Sequence, residues 1–516
     1  MILTRRKALK LSAAAVAAGL ASAQDEKEFT ITRGPFDGTR ESLQAYRIPE
    51  WFRDAKFGIW AHWGPQSAAE DGDWYARNIY IQDSPQYKFH VDHYGHPSKA
   101  GFRAVIPTWQ ASDFDPGYLL SMYQKAGAKY FVSMGVHHDN FDLWNSKYQE
   151  WNSVKMGPKK DVVGMFRKAA LENGLKFGVS EHLWISWKWF AVSHLSDKTG
   201  PLAGVPYDGN EPQYEGLYHE GAVKAIGEKF SWDDQLIPES WKRRWFLRIR
   251  DLIDKYQPDL LYTDGAMPFE SYGSKLVSHL YNANAKRHGG VTQAVYTSKK
   301  REDCAQGTCV LDVERGVVDQ IWPTAWQTDT CIGNWHYKRD VRYKTPKTVV
   351  DLLVDIVSRN GNLLLNIPLP NSGRPDDREL AIVADLTKWM AVNSEGIYST
   401  RPWKIFGEGP AGQKTANGPA ADSKFNESKR KELTAKDIRF TTKGDVIYSF
   451  VMGLPETEAV IRALGNGSPQ NPGKIANVEL LGAGKMAFEQ NNDALRVKLP
   501  ESKPSEFALA LKIYFS

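Results

Sequence analysis

Phe57-Gly58-Ile59-Trp60-Ala61-His62-Trp63-Gly64 is a short apolar run that ends in a polar and aromatic cluster. The same arrangement returns three times along the chain, where apolar runs at residues 130–136, 176–180 and 260–263 lead directly into His, Glu or Asp. Short apolar runs without polar alternation are typical of strands that helices cover on both faces. The pattern therefore predicts a parallel sheet whose strand ends carry the chemistry.

Further runs at residues 291–297, 318–322 and 363–367 complete the strand predictions, and amphipathic stretches lie between several of them. Trp245, Ile249 and Leu252 recur at helical spacing in one such stretch. The number of units favours a (β/α)8-like barrel over an open doubly wound sheet, and no glycine-rich phosphate loop follows the first strand. The stretches 186–231 and 301–317 lack periodicity, so we predict long loops at the catalytic face of the barrel.

The chain of 516 residues is too long for one core of ordinary size, and its pattern changes after Trp403. A polar stretch is followed by alternating segments, with Val446, Tyr448 and Phe450 on one strand. We predict a signal peptide over residues 1–23, a catalytic α/β barrel domain over 24–403 and an antiparallel β-sandwich over 404–516.

The N-terminus resembles an export signal. Arg5-Arg6-Lys7 precedes a short apolar run, and Ala21-Ser22-Ala23 forms a small-residue cleavage site. The arginine pair indicates the twin-arginine route, and no later segment is long and apolar enough to span a membrane. We therefore expect an exported protein, periplasmic or secreted.

The charge balance argues against a nucleic-acid partner. The 66 basic and 61 acidic residues leave a net charge of +5, without a dense Lys/Arg run that would neutralise phosphates. The three cysteines, Cys304, Cys309 and Cys331, form neither a disulfide framework nor a zinc motif. Cys304 and Cys309 either close a small loop or stay reduced, and the sequence leaves both alternatives open.

The strand-end clusters bring imidazoles, indoles and carboxylates to one rim. A site of this composition suits a neutral sugar, because histidines bond ring hydroxyls and indole faces cover apolar C–H surface. Adjacent histidines also raise the alternative of a metal site. That alternative is weaker, because successive side chains on a strand point apart unless a bulge turns one, and no H-E-x-x-H motif occurs.

Several motifs resemble those of glycoside hydrolase family 29, the α-L-fucosidases. Lys56-Phe57-Gly58-Ile59-Trp60-Ala61-His62-Trp63-Gly64 looks like the family's K-F-G-I-F-x-H-W-G. Asp73-Trp74-Tyr75-Ala76-Arg77-Asn78-Ile79-Tyr80 is similar to E-W-Y-x-R-N-M-Y, and Gly361-Asn362-Leu363-Leu364-Leu365-Asn366 to G-G-N-L-L-L-N. The run from His137-His138-Asp139-Asn140-Phe141 to Gly157-Pro158-Lys159-Lys160-Asp161 follows the family's longest motif.

The resemblance, which covers residues 51–403, implies a retaining mechanism on fucosylated glycans without metal or cofactor. Asp264, in Tyr262-Thr263-Asp264-Gly265, matches the position of the family's nucleophile. Retaining sites hold a second carboxyl ~5–5.5 Å from the nucleophile, and for this acid/base we choose Glu314 by its place between the nucleophile strand and Trp326. The expected substrate-binding residues are His62, Trp63, Asp73, Trp74, His137, His138, Glu181, His182, Tyr262 and Trp326.

Two departures from the family pattern affect these expectations. Asp73 stands where the family has Glu, so its reach is one methylene shorter, and Glu70 is a candidate substitute. Glu181-His182 stands where many members carry a tyrosine pair, which makes Glu181 the competitor of Glu314 as acid/base.

Two other functions stay open at this point. One is a glycosidase of different sugar or endo specificity, such as a fucan hydrolase, with the 186–231 loop shaping an extended cleft. The other is a non-catalytic carbohydrate-binding relative, which would bind sugar without turnover. A homo-oligomer is compatible with the sequence, which contains no signal that decides the oligomeric state.

Overall fold

The computed structural model describes residues 29–219, 230–411 and 425–516. The predicted signal peptide at residues 1–23 lies outside these ranges. Within them, no helix combines the length and the apolar character needed to cross a membrane.

Eight parallel strands form the first sheet. A parallel bridge between Asp312 and Gln327 brings the two ends of this sheet together. The predicted (β/α)8-like barrel is thereby confirmed. The strands are β1 Phe57–Ala61, β2 Tyr130–Val136, β3 Lys176–Glu181, β4 Leu260–Thr263, β5 Val295–Ser298, β6 Val310–Leu311, β7 Trp326–Cys331 and β8 Gly361–Asn366. Across the sheet they follow the order β6-β5-β4-β3-β2-β1-β8-β7.

Helices surround the barrel, and their apolar faces pack onto the strands. On the helix Glu239–Tyr256, the buried positions include the predicted Trp245, Ile249 and Leu252. The longer helices in the described ranges are α1 Pro85–His93, α2 Pro116–Lys125, α3 Val162–Glu172, α4 Glu239–Tyr256, α5 Ser271–Arg287, α6 Pro346–Ser358 and α7 Asp377–Asn393.

Shorter helical turns occupy parts of the connections. In the predicted loop 186–231, of which residues 220–229 lie outside the description, these include Ser186–Trp189, Phe190–His194 and Glu215–Tyr218. The predicted loop 301–317 contains the helical turn Arg301–Cys304 and the strand β6.

The prediction of a strand at residues 318–322 was wrong. The chain there is irregular, and the strands of this region are β6 and β7 instead. The sequence did not predict β7, because this strand contains Gln327 and Asp329, which are fully buried polar residues. Buried strands are recognised in a sequence by a run of apolar residues. Polar side chains that are buried in the barrel interrupt this run.

The C-terminal region is an antiparallel sandwich of a six-stranded and a three-stranded sheet that share one apolar core. β9 begins at Arg401, and Trp403 already packs into this core, so the second unit starts before the predicted boundary at 404. The strands are β9 Arg401–Glu408, β10 Ile438–Lys443, β11 Val446–Val451, β12 Glu458–Ile461, β13 Ile475–Leu480, β14 Gly484–Lys485, β15 Phe488–Gln490, β16 Leu495–Lys498 and β17 Leu509–Phe515.

Cys304 and Cys309 form a disulfide, which decides between the two alternatives left open above. Cys331, at the end of β7, is a free and buried thiol.

Candidate active site

A pocket of about 760 Å³ opens where the barrel strands end. Residues from β1, β2, β3, β4, β5, β6 and β7, or from the segments that follow them, line its wall. Nine of the residues predicted from the sequence are among them: His62, Asp73, Trp74, His137, His138, His182, Tyr262, Asp264 and Glu314.

Asp264 follows the last residue of β4 and points into the pocket. One carboxylate oxygen lies 2.7 Å from the Nζ atom of Lys299. The other lies 3.4 Å from both His138 Nε2 and His182 Nδ1. Burial opposes ionisation of this carboxyl, but the Lys299 ammonium and then His182 outweigh it and hold the pKa of Asp264 well below its usual value. Asp264 is therefore an anion at neutral pH.

The backbone beside Asp264 is held by an indole. The Nε1–H of Trp184 donates to the carbonyl oxygen of Asp264 at 2.6 Å. Gly265 has a φ of +137°, and a Cβ atom there would lie 3.0 Å from the Trp184 ring. A side chain at position 265 would push the indole away, so the glycine permits the contact that fixes the carboxylate.

Glu314 follows β6 and lines the same pocket as Asp264. Its Oε2 atom contacts the same Lys299 Nζ at 2.6 Å. Burial raises the pKa of Glu314 to about 7, against the lowering effect of Lys299. The neighbouring Arg315 turns away and pairs with Glu427. Glu314 is therefore a pocket acid that is partly protonated at neutral pH, not a surface residue paired with Arg315.

Two further carboxylates lie beside Lys299. Asp329 approaches the ammonium to 3.4 Å and accepts a hydrogen bond from the Tyr262 hydroxyl at 2.7 Å. Burial and then the charge of Asp329 raise the pKa of Asp312 well above its usual value, so Asp312 is protonated. The surrounding carboxylates raise the pKa of Lys299, although burial opposes this, and the lysine stays charged.

Both His137 and His138 line the pocket, although neighbours on a regular strand point apart. The pairing of β2 with β3 shifts register between Met134 and Val136, which is a bulge of the kind that redirects side chains. Within the shift, a Cβ atom on Gly135 would lie 2.7 Å from a Val179 methyl group. The bulge thus delivers two adjacent imidazoles to one site.

Hydrogen bonds orient the imidazoles for neutral ligands. The Asn366 Nδ2 donates to the Trp335 carbonyl, so its oxygen faces His62 and accepts from Nδ1 at 2.9 Å. The Gln66 amide donates to Nδ1 of His137 at 2.9 Å. Burial lowers the pKa of both histidines well below the usual value. Neutral His62 then offers an acceptor to the pocket and neutral His137 offers a donor.

Asp73 reaches the pocket and is held by a histidine that the sequence did not single out. Its carboxylate lies 2.6 Å from His336 Nδ1 and 4.0 Å from His137 Nε2. Glu70 does not take its place: it pairs with Arg339 and accepts from the Asn371 backbone, and it does not line the pocket.

The structure corrects the prediction for the two tryptophans. Trp63 is buried away from the pocket, where its indole donates to the Pro370 carbonyl at 2.8 Å. Trp326 opens β7 at the opposite end of the barrel and donates to the Arg359 carbonyl at 2.9 Å. Both are core residues: Trp63, two residues after the end of β1, and Trp326, the first residue of β7, are almost completely buried.

Glu181 does not line the pocket either. It is fully buried, with its oxygens bonded by the Leu183 backbone, the Thr263 hydroxyl and the Trp245 indole of α4. Strand alternation explains this position, since His182 points into the pocket and its neighbour points outward. The geometry removes Glu181 as a competitor for the acid/base position.

Comparison with known proteins agrees with this site. The α-L-fucosidase family model matches residues 23–395, and the α-L-fucosidase C-terminal domain model matches residues 430–514. The chain belongs to the α-L-fucosidase family. It is a glycoside hydrolase of that family, with a glycan as its substrate.

Relatives of this family are similar over nearly the whole chain. The plasma α-L-fucosidase of Homo sapiens is 28% identical over 459 residues, which cover 84% of this chain and 85% of the relative. The tissue α-L-fucosidase of Macaca fascicularis is 26% identical and covers 92% and 90%. The Thermotoga maritima α-fucosidase in complex with fucose has the same fold, with a TM-score of 0.69 at 24% identity over 92% of this chain and 99% of that one.

Several residues of the fucosidase pocket were missed by the sequence analysis. Lys299 directly follows β5, so its position at a strand end is a signal that the sequence does contain. Asp329 was missed because β7 was missed. No local signal marks the contributions from other segments, and the unpredicted lining residues include Trp60, Trp184, Trp232, Lys299, Lys300, Arg301, Glu302, Asp312, Asp329, Trp335 and Phe425.

Three sets of side chains in the fucosidase pocket have ligand-type atoms within 4.8 Å of one another, close enough to hold a metal ion. They are His62 with His137 and His182, Asp73 with His137 and His336, and His138 with His182 and Asp264. The Nδ1 atom of the buried His182 faces Asp264, whereas its Nε2 atom has no hydrogen-bond partner in the described structure. The same atoms are equally suited to the hydroxyl groups of a sugar, which both donate and accept.

Proposed function

We propose that the protein is an exo-acting retaining α-L-fucosidase that removes terminal α-L-fucosyl residues from glycans by double displacement. The observation that carries the proposal is the shared ammonium: Asp264 and Glu314 contact one Lys299 nitrogen at 2.7 and 2.6 Å. The nearest carboxylate oxygens of Asp264 and Glu314 therefore lie no more than about 5.3 Å apart, which is the sum of these two distances. That supports the ~5–5.5 Å carboxyl spacing of retaining sites rather than the ~6.5–9.5 Å of inverting ones.

In the first step, the Asp264 carboxylate attacks the anomeric carbon and forms an ester bond to the sugar. The glycosidic carbon–oxygen bond breaks, and the leaving oxygen takes the proton of Glu314. The low pKa of Asp264 and the raised pKa of Glu314 place each group in the protonation state that this step requires.

In the second step, Glu314 acts as the base. The ester removes the negative charge of Asp264, so Lys299 then acts on Glu314 with less competition, and the pKa of Glu314 falls. The Glu314 carboxylate takes a proton from water, the water oxygen bonds to the anomeric carbon, and Asp264 leaves as a carboxylate. The product keeps the configuration of the substrate.

The substrate-binding roles follow from the neutral imidazoles. His62 accepts from a sugar hydroxyl, His137 donates to one, and the Asp73 carboxylate held by His336 accepts from another. Trp74 supplies an apolar face for the sugar. The histidine side chains are almost completely buried, which supports a site that encloses a terminal residue, the basis of the exo proposal.

Replacement of the nucleophile tests the proposal. We expect Asp264→Gly to abolish turnover of an aryl α-L-fucoside while circular dichroism and the unfolding midpoint stay close to those of the wild type. Added azide should restore product as a fucosyl azide of inverted configuration, because the small anion fills the space of the missing carboxylate. Wild-type turnover in this variant, or an inverted sugar as the first wild-type product in NMR, would contradict the mechanism.

Product analysis separates exo from endo action. A fucosylated oligosaccharide should release free fucose as its first product, whereas a ladder of shorter oligomers would indicate internal cleavage. Export is part of the proposal on the basis of the signal-like N-terminus alone. Mass spectrometry of the protein from its native host should then show a chain without residues 1–23.

A further inference from the structure

Two aromatic side chains at the pocket mouth are unlike the others. Trp232 is 52% exposed and Phe425 is 55% exposed, and both line the pocket. The aromatic residues of the pocket floor, such as Trp60 and Tyr262, are fully buried. An exposed aromatic ring at the mouth of a sugar site leaves apolar surface uncovered until a ligand packs on it.

Phe425 is held against the acid/base. Its backbone N–H donates to the Glu314 carbonyl oxygen at 2.9 Å, and the Glu427 N–H donates to the Arg315 carbonyl at 3.1 Å. The Glu427 carboxylate then pairs with Arg315 and with Lys344. Because the leaving oxygen must meet the Glu314 carboxyl, this ring lies on the side of the leaving group and not of the fucosyl residue.

Trp232 reaches the mouth from the segment between β3 and α4. Its ring centre lies 5.6 Å from that of His138, 5.8 Å from that of Trp74 and 6.5 Å from that of Trp184. Trp184 in turn bonds the backbone of Asp264. Trp232 therefore stands at the exposed end of a cluster of tilted aromatic rings that begins beside the nucleophile.

We propose that Trp232 and Phe425 determine the specificity for the leaving group, by packing on the ring of the sugar to which the fucosyl residue is attached. The inference rests on the proposed function. Sugar rings present flat C–H faces that pack on aromatic rings, and their hydroxyl groups need polar neighbours. The rim supplies these neighbours, because Lys300 and Glu302 line the same pocket and are exposed. A small alcohol would use neither feature.

The test compares two substrates that share the fucosyl group. An α-L-fucosyl-galactose disaccharide has a sugar as leaving group, whereas α-L-fucosyl fluoride releases an ion that has no ring. For Trp232→Ala and Phe425→Ala, we expect kcat/KM on the disaccharide to fall about ten-fold, the effect of one lost apolar contact in a specificity pocket. On the fluoride we expect kcat/KM to stay at the wild-type value.

Two controls sharpen this comparison. Phe425→Tyr keeps an aromatic ring and should retain the wild-type preference for the disaccharide. Tyr118→Ala removes a ring that is 45% exposed on α2, outside the pocket, and should change neither substrate. Equal losses on both substrates in the alanine variants, or no loss on the disaccharide, would overturn the inference alone. Failure of the wild type on fucosyl fluoride would overturn the proposed function and the inference with it.

Discussion

At the residue scale, the site depends on how one lysine divides its charge between two acids. Lys299 contacts both Asp264 and Glu314, yet the pKa of the first is lowered and that of the second is raised to about 7. Asp264 has His138 and His182 as additional partners, whereas no histidine in the described part of the chain forms an ion pair with Glu314. The difference in partners separates the two roles.

The raised pKa of Glu314 predicts the alkaline limit of activity. The acid form is needed in the first step, so kcat/KM should fall as pH rises through about 7. No loss from Asp264 is expected until far below pH ~4, because its folded pKa lies below the usual Asp value. The check is a pH profile of kcat/KM on a substrate with a poor leaving group.

Glu181 provides a matched control for this profile. Burial raises its pKa to about 7 as well, but it does not line the pocket. Glu314→Gln should remove the alkaline limb on an activated aryl fucoside, whereas Glu181→Gln should leave the limb in place even where the fold is weakened. If the limb moves with Glu181 and not with Glu314, the two assignments must be exchanged.

At the scale of elements, α4 holds in place the segment after β2 that carries His137 and His138. Arg248 of α4 is fully buried and contacts Asp142 at 2.5 Å, and it also donates to Asn140. Asn140 and Asp142 closely follow the two histidines that leave β2. The helix therefore fixes the segment through a buried charge pair, and a loss of the pair leaves an uncompensated carboxylate.

We predict that Arg248→Met lowers the free energy of unfolding by about 3–5 kcal/mol, the usual effect of breaking one side of a buried ion pair. Urea denaturation measures it. Arg250→Ala on the same helix is the control: its pair with Asp254 is half-exposed, and a loss below about 1 kcal/mol is expected. Similar losses in both variants would mean that the buried pair has no special role.

At the scale of the whole molecule, a buried carboxylate of the barrel forms ion pairs with residues of the C-terminal region. Asp355 of α6 pairs with Arg359 of the barrel and with Arg430 and Arg439, which precede and belong to β10. The Arg439 side chain is fully buried. Three guanidinium groups around one carboxylate outweigh its burial and hold the pKa of Asp355 far below the usual value.

We predict that Asp355→Asn costs about 3–5 kcal/mol of unfolding free energy, because buried guanidinium groups lose their counter-charge. For a carboxyl with a depressed folded pKa, the stabilisation is complete above the unfolded pKa of ~3.9 and is lost as pH falls below it. The wild-type advantage over Asp355→Asn should therefore be constant from pH 5 to 8 and shrink towards acid. Thermal unfolding across this range measures it.

A control for the domain junction lies on α7. Asp385→Asn removes a carboxylate that is one-third exposed and paired with Lys388 within the helix, and little change in stability is expected. An Asp355→Asn protein as stable as the Asp385→Asn protein would contradict the junction argument.

The sequence by itself determined the barrel, the sandwich and nine of the residues that line the pocket. Strand and helix periods are local properties, and parallel strands bring their carboxyl ends to one rim, so His62 and Asp264 could be placed at the site from the sequence. Glu314 was chosen within the family resemblance, by its place in the chain. The glycine and bulge that turn His137 and His138 into one pocket agree with this assignment but cannot be read from alternation alone.

Only the tertiary structure decided which charges meet. The sharing of Lys299, the exclusion of Glu181 and the placement of Phe425 beside Glu314 depend on contacts between segments far apart in the chain. Strand β7 was hidden for the same reason, since its polar residues are satisfied by partners on other elements, such as Tyr262 and Asp312. The periodicity of a sequence shows on which side of a helix or strand a residue lies. The residue that it contacts is determined only when the barrel closes and the second domain packs against the barrel.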